Sequence, residues 1–311
     1  MKVSLITVSY NSARTISDTL VSVQKQTYKD IEYIVVDGNS SDGTVEIVKR
    51  FVDEKQNATQ GRSEGVMQGR SEGVMQGRSE GVMQGRSEGV MQGRSEGASQ
   101  DLSKNLPQDL LKTATRGVVT KFLCEKDNGI YDAMNKGLAL ATGDIIGVLN
   151  SDDFYCSNDV IEEVVRAFQQ NNTDCLYGDL NYVDPIEPSK IIRKWRSGHY
   201  TKENFLKGWM PPHPTFFVKK SCYENFGTFD TQFKSAADYE LMLRFLFKES
   251  CSAQHLPKVM IHMRAGGVSN VSLKNRIRAN REDRLAWKIN GLKPKWFTLL
   301  RKPLSKLIQY F

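Results

Sequence analysis

The sequence is poor in the residues that build a disulfide scaffold or a zinc site. Its 311 residues include five cysteines, an odd set without a C-x-x-C pair, and four histidines that do not gather around them. That scarcity excludes a stapled secreted module and leads us to expect a reducing, cytosolic setting. Long hydrophobic runs are missing too. The N-terminal "MKVSLITVSYN" has one Lys and then an apolar run of strand length, far short of a signal h-region or of the ~20 residues that cross a bilayer. Acidic charge is scarce at one end only. Ser272 to Phe311 holds eleven Lys or Arg against Glu282 and Asp283, a local +9, so the net +7 leaves about −2 for the other 271 residues. The basic balance therefore belongs to the C-terminal tail.

What is present is alternation. "VSLITV" (3–8) and "IEYIVV" (31–36) read as buried strands, each followed by an amphipathic helix: the first carries Ile16, Leu20 and Val23, the second Val48 and Phe51. A third strand at Val118–Cys124, a helix over Ile130–Ala141 and a strand at 145–149 continue the pattern. Near-continuous apolar strands between helices predict a Rossmann-like α/β fold, a mostly parallel sheet with helices on both faces. Its ligand crevice is expected outside the carboxyl ends of the strands.

Residues 54–117 interrupt this pattern with "QGRSEGVM", four times from Gln60 to Met91 and once more truncated at Gly97. Eight residues overshoot two helical turns by roughly 80°, so no apolar stripe can persist. In a strand the adjacent Val and Met face opposite sides, and the glycines disfavour either element. Each copy is also neutral. The segment is expected to be a spacer inserted in a loop.

Three expected strand ends carry chemistry. "TGDIIGVLNSDDFY" (142–155) runs a buried strand into Asp152 and Asp153; such acids suit a hard cation, Mg²⁺ or Mn²⁺, and equally suit a capped turn. "VDGNSSDGT" (36–44) sets Asp37 at a strand end, able to accept from a base N–H or a ribose hydroxyl, with Ser41 or Asp42 as caps for the next helix. "VSYNS" (8–12) offers Tyr10 as an aromatic wall and Asn11 as an amide or a helix cap.

In this order and spacing, the three motifs resemble those of the family 2 inverting glycosyltransferases, over residues 1 to about 53 and 118 to about 270. "EKDNGIYDAMNKGLALATGDIIGVLNSDD" (125–153) is similar to the donor region of the branch that builds bacterial cell-surface polysaccharides. The resemblance implies a GT-A fold, a UDP-sugar donor, an Mg²⁺ or Mn²⁺ ion, and a glycan or polyprenyl-linked acceptor. Residue by residue, it implies that Val8 and Tyr10 line the uracil pocket and that Asp37 bonds the uridine. Gly129, Asp132, Asn135 and Lys136 would border the donor. Asp152 would ligate the metal with Asp153 beside it, and Asn150 stands where many relatives have the first acid. Asp238 in "FKSAADYELMLRF" would be the general base, although the residues alone read it as a helix N-cap.

His213 in "PPHPTFFV" lies near the acceptor or diphosphate in such relatives, but a lone histidine reads first as structural. "HMRAGGVSN" (262–270) resembles the loop that folds over the donor, bringing His262 or Arg264 to the diphosphate with Gly266 and Gly267 as hinges. The expected domains are 1–271 and a basic amphipathic helical tail, 272–311, whose Trp296, Leu300, Leu304, Leu307 and Phe311 fall on one face. That tail suits either an anionic membrane surface, and so a peripheral place on the inner face of the plasma membrane, or packing on the catalytic domain. Other readings are a nucleic-acid-binding protein using the tail, which the motifs disfavour, a non-catalytic sugar-nucleotide binder, and a nucleotidyltransferase. The last would need a Gly-rich phosphate loop after the first strand, and "SYNSART" has no glycine.

Overall fold

The computed structural model describes residues 1–52, 118–266, 273–295, 297 and 298, the side chains of 273–277 excepted. The octapeptide repeats, Gly267 and nearly all of the aromatic stretch of the tail lie outside the described residues. Strands β1 (Val3–Ser9), β2 (Ile31–Asp37), β3 (Lys121–Cys124) and β4 (Ile145–Val148) form the parallel half of one sheet in the order β3-β2-β1-β4. Every residue of β1 is buried, which is why its sequence is nearly continuously apolar. Beyond β4 the sheet becomes mixed. β8 (Phe217–Lys219) joins antiparallel, followed by β6 (Cys175–Val183), β9 (Ala253–Arg264) and β5 (Phe154–Tyr155), with β7 (Ile191–Trp195) on the flank of β6.

Alternate residues of each strand feed two cores, because successive side chains point to opposite faces. Val3, Leu5, Tyr33 and Val35 meet α1 (Ile16–Gln24), α2 (Thr44–Lys49) and α4 (Val160–Asn171); Ile6, Ile34 and Val36 meet α3 (Ile130–Leu140) on the other side. A Cβ on Gly137 would collide with Ile6, so the glycine lets α3 lie close on β1. The second face is completed by α5 (Lys202–Leu206), α6 (Lys220–Phe226), α7 (Ala237–Met242), the π-helical Leu243–Lys248 that continues α7, and α8 (Leu273–Ile289). The buried Trp287 donates to the Tyr239 hydroxyl at 2.8 Å and so fastens α8, the first half of the expected tail, to α7.

All five cysteines are free, as their spacing suggests, but Cys175, Cys222 and Cys251 meet in one core cluster. Sequence separation concealed that grouping.

At the amino ends of the strands, Glu32 is 4% exposed and clasps the sheet. Its carboxylate accepts from the Ser4 hydroxyl (2.6 Å), the Thr142 N–H (2.7 Å), Lys2 (3.1 Å) and Lys121 (2.8 Å). Burial pushes its pKa up, but the hydrogen bonds from Lys121, Ser4 and Thr142 outweigh it and hold the carboxyl far below its usual range. A depressed carboxylate pKa adds stability above the unfolded value, and that stability is lost as pH falls toward the folded one. Glu32→Gln should cost on the order of 3 kcal/mol at neutral pH. Chemical denaturation from about pH 5 downward should then show a shallower acid loss in the variant than in the wild type.

Candidate functional site

The opposite, carboxyl ends of β1, β2, β3 and β4 carry the predicted motifs, and hydrogen bonds join their loops into one rim. The Asn11 N–H donates to the Ser40 hydroxyl at 2.8 Å, and the Ser41 N–H returns to Asn11 Oδ1 at 3.0 Å. Asn11 and Asn39 hold left-handed backbone at φ 50° and 65°, a conformation that Asn tolerates. Asn11 thus ties loop to loop instead of capping α1, which starts at Ile16. Asp42 accepts from the Ala13 N–H (3.0 Å) and the Thr44 N–H (3.1 Å), and Ser12 shares a hydrogen bond with Ser151 at 2.8 Å. These contacts run from the Asp37 loop to the residue beside Asp152.

Asp37 is fully buried. It takes the Ser40 N–H (2.7 Å), the Ser40 hydroxyl (2.8 Å), the Ser9 hydroxyl (2.7 Å) and the Cys124 thiol (3.8 Å). A carboxylate has about four acceptor positions, so a nucleoside that reaches Asp37 must replace a partner, and the Ser40 hydroxyl is on the loop. Val8, expected in the uracil pocket, pairs with Val36 and is 5% exposed, its side chain within the core beneath the loops. Tyr10 is 66% exposed and stands at the mouth. A Cβ on Gly38 would collide with Asp127 and come within 3.3 Å of the Tyr10 ring. Position 38 is therefore a floor over which an aromatic and an acid close in.

The turn into α3 is built by Asp127, which accepts the Gly129 N–H at 2.9 Å, and by Asp132, which accepts the Asn128 N–H at 2.9 Å. Lys136 pairs with Glu125 (2.8 Å) and Asp132 (3.6 Å), and the Glu125 hydrogen bond raises its pKa. Asn135 points to the domain interior. Its amide clips the backbone of Phe229, donating to the carbonyl at 2.8 Å and accepting the N–H at 3.0 Å.

After β4, Asp152 is half-buried and Asp153 fully buried. Neither caps a helix. Burial raises the pKa of Asp152, and burial together with the Asp152 charge raises that of Asp153 strongly. Asn150 donates to Asp153 at 3.4 Å, while its Oδ1 is buried with no hydrogen-bond partner. Among the described residues no group of three or more His, Cys, Asp or Glu could hold a metal ion; here two acids and one orphaned amide oxygen stand in succession. Arg264, 6% exposed at the end of β9, is the nearby cation. It donates to the Asp152 carbonyl at 2.7 Å, pairs with Asp18, and leaves its buried Nε unpartnered. His262 sits two residues earlier against the Phe154 ring (5.4 Å between centroids), and burial lowers its pKa.

Asp238 lies in the first turn of α7, beyond the Ala236 cap position, and makes no capping hydrogen bond. It accepts from the Tyr131 hydroxyl at 3.1 Å. The helix is fixed behind it: Glu240 binds Arg244 at 2.9 Å and takes the Asn290 amide at 2.9 Å. His213, on a 3₁₀ turn (His213–Thr215), packs edge-on to Phe229 at 5.9 Å and feels the charge of Asp238. The structure thus brings together the Asp37 loop, the turn into α3, the Asp152 loop and Asp238. The recess lined by Asn171, Thr173, His199, Tyr200 and Ser252–His255 lies at the starts of β6 and β9, the far end of those strands from Arg264. Sequence reasoning singled out neither Asp127, signalled by its place two residues before Gly129, nor Tyr131, whose role depends on a distant partner.

The profile of Glycosyl transferase family 2 matches residues 4–91 and 96–226, and the chain belongs to that family. An uncharacterized glycosyltransferase of Mycobacterium tuberculosis (strain CDC 1551 / Oshkosh) is 33% identical over 129 residues, 39% of this chain and 45% of that protein. The chain spans about half the length of the curated relatives it matches. Among solved structures, S. aureus TarS 1-349 in complex with UDP-GlcNAc aligns with TM-score 0.57 at 14% identity, covering 93% of this chain and 65% of that one. The mannosyltransferase PcManGT from Pyrobaculum calidifontis, in complex with GDP-Man and Mn²⁺, gives 0.54 at 18% identity, covering 97% and 68%. These likenesses establish the GT-A fold.

Proposed function

We propose that the chain transfers a sugar from a UDP-sugar to a hydroxyl of a cell-surface glycan or lipid-linked oligosaccharide, inverting the anomeric centre with the help of Mg²⁺ or Mn²⁺. The observation that carries this is the single rim in which the Asp37, Asp127 and Asp152 loops are bonded or packed together, with Asp238 tied to the same helix, α3, by Tyr131. In this reading Tyr10 stacks on the uracil, and the Asp37 loop meets the ribose and base. The Gly129–Lys136 turn borders the sugar and diphosphate.

The residues fit a dication. Asp152 would ligate it, with Asp153 and Asn150 Oδ1 beside it. A half-buried and a fully buried acid, both at raised pKa, and an unpartnered amide oxygen are what a cation would relieve. When bound, the ion supplies positive charge against the diphosphate leaving group. Arg264 steadies the same loop through the Asp152 carbonyl. Asp238 takes the proton of the acceptor hydroxyl as it attacks from the face opposite the diphosphate. A screen of UDP-sugars for Mn²⁺-dependent UDP release tests the reading. Release with at least one sugar supports it, and inertness toward all, with the fold intact, refutes it.

The transferase domain is read as residues 1–271 interrupted by 54–117, with α8 clasped to it. The described residues flanking the insertion meet directly: Val52 bridges Val119, whose N–H donates to the Phe51 carbonyl at 2.8 Å. Removing residues 60–91 should therefore leave turnover within about twofold of wild type. Shortening the connection should also stabilise the fold by about 0.6 kcal/mol for each halving of its length. Parallel kinetics and thermal melts check both, and lost turnover at unchanged folding contradicts the spacer role.

A further inference from the structure

We propose that Tyr131 is a positioning residue for the acceptor-side carboxylate, its hydroxyl holding Asp238 aimed while the helix that bears it begins at the donor turn. The inference rests on the reading of Asp238 as general base. The contact joins residues 107 apart in sequence, at 3.1 Å between the hydroxyl and Oδ1.

Neither partner is free to drift. The Tyr131 ring is 7% exposed and stacks on Phe229 at 5.8 Å and 25° between planes. Phe229 is itself fixed by the two-way clip of Asn135, one turn further along α3. Asp238 is fixed by α7, which the Glu240–Arg244 pair and Asn290 lock to its surroundings. Burial, with the Asp238 charge, raises the Tyr131 pKa well above the usual range, so the phenol keeps its proton and acts toward the carboxylate as a donor. With Oδ1 so engaged, Oδ2 remains to accept the proton of the substrate hydroxyl.

The titratable groups that face Asp238 among the described residues are Tyr131 from α3 and His213 from the 3₁₀ turn. Burial keeps His213 below its usual pKa, so near neutral pH it adds no full charge that could replace the tyrosine. Tyr131 lies between Gly129 and Asp132, in the first turn of α3. A shift of that turn by a bound donor would move the hydroxyl, and with it the base. Sequence showed "GIYDAMNKG" only as a donor motif; the tyrosine points across the cleft.

A carboxylate that loses the hydrogen bond fixing it is free to turn away from the reacting hydroxyl, and misplacement of a reacting group slows the chemical step more than it weakens binding. Tyr131→Phe should therefore lower kcat about 10-fold, with the donor KM within about twofold. Phe229→Leu, which keeps the hydroxyl but loosens the ring, should give a smaller loss of kcat and serves if Tyr131→Phe folds poorly. Asp238→Asn is the control for the underlying reading. If it loses turnover while kcat in both other variants stays within about twofold of wild type, or falls only in step with a weakened donor KM, Tyr131 is merely structural and the proposal is overturned. If Asp238→Asn keeps wild-type turnover, the base is elsewhere and the proposal falls with that reading.

Discussion

Asp152→Ala is expected to reduce Mn²⁺-dependent UDP release by about 10³-fold while leaving the thermal melt of the metal-free protein unchanged or higher. The magnitude follows from the charge at stake. Losing one group that stabilises the leaving group's developing charge costs about 3–4 kcal/mol, which at 1.4 kcal/mol per decade is two to three powers of ten. The stability expectation follows from burial. Asp152 is held above its usual pKa by desolvation, and its charge raises the pKa of Asp153 further. A raised carboxylate pKa means the ionised group is less favourable folded than unfolded, so its removal relieves the native state at neutral pH. An inert structural acid would give the reverse pattern: unchanged release and a lower melting temperature.

Asp238→Asn is expected to lower kcat by about 10²- to 10⁴-fold with little change in the affinity for UDP. The amide keeps the shape of the carboxylate and can still accept from Tyr131, so α7 and its Glu240–Arg244 lock should persist. Only proton removal is lost. Paired measurements of turnover and UDP affinity separate the two halves of the cleft. Equal losses in both would place Asp238 in donor binding.

The parallel half of the fold was legible because β1, β2 and β4 are buried on both faces and read as apolar runs between helices. β9 was not. Its "AQHLPKVMIHMR" mixes polar and apolar residues and contains Pro257, and the strand gains its identity by pairing with β6 and β5. The antiparallel β8 is three residues long and carries no pattern of its own. At the site, local motifs marked the loops but not what each side chain does in them. Val8 faces the core, since it occupies the inward register beside Val36, and Asn135 holds Phe229. Asp127 and Tyr131 gain their roles from Gly38 and Asp238, partners that spacing cannot show.

The central claim is that oxygen atoms on the loop after β4 and a nucleotide diphosphate share one cation. Anomalous diffraction at the manganese edge, from crystals grown with UDP and Mn²⁺, tests it most directly. The account predicts one strong peak within bonding distance of both the Asp152 carboxylate and the diphosphate, absent in Asp152→Ala. UDP bound at the Asp37 loop with no manganese peak between its phosphates and residue 152 would contradict it.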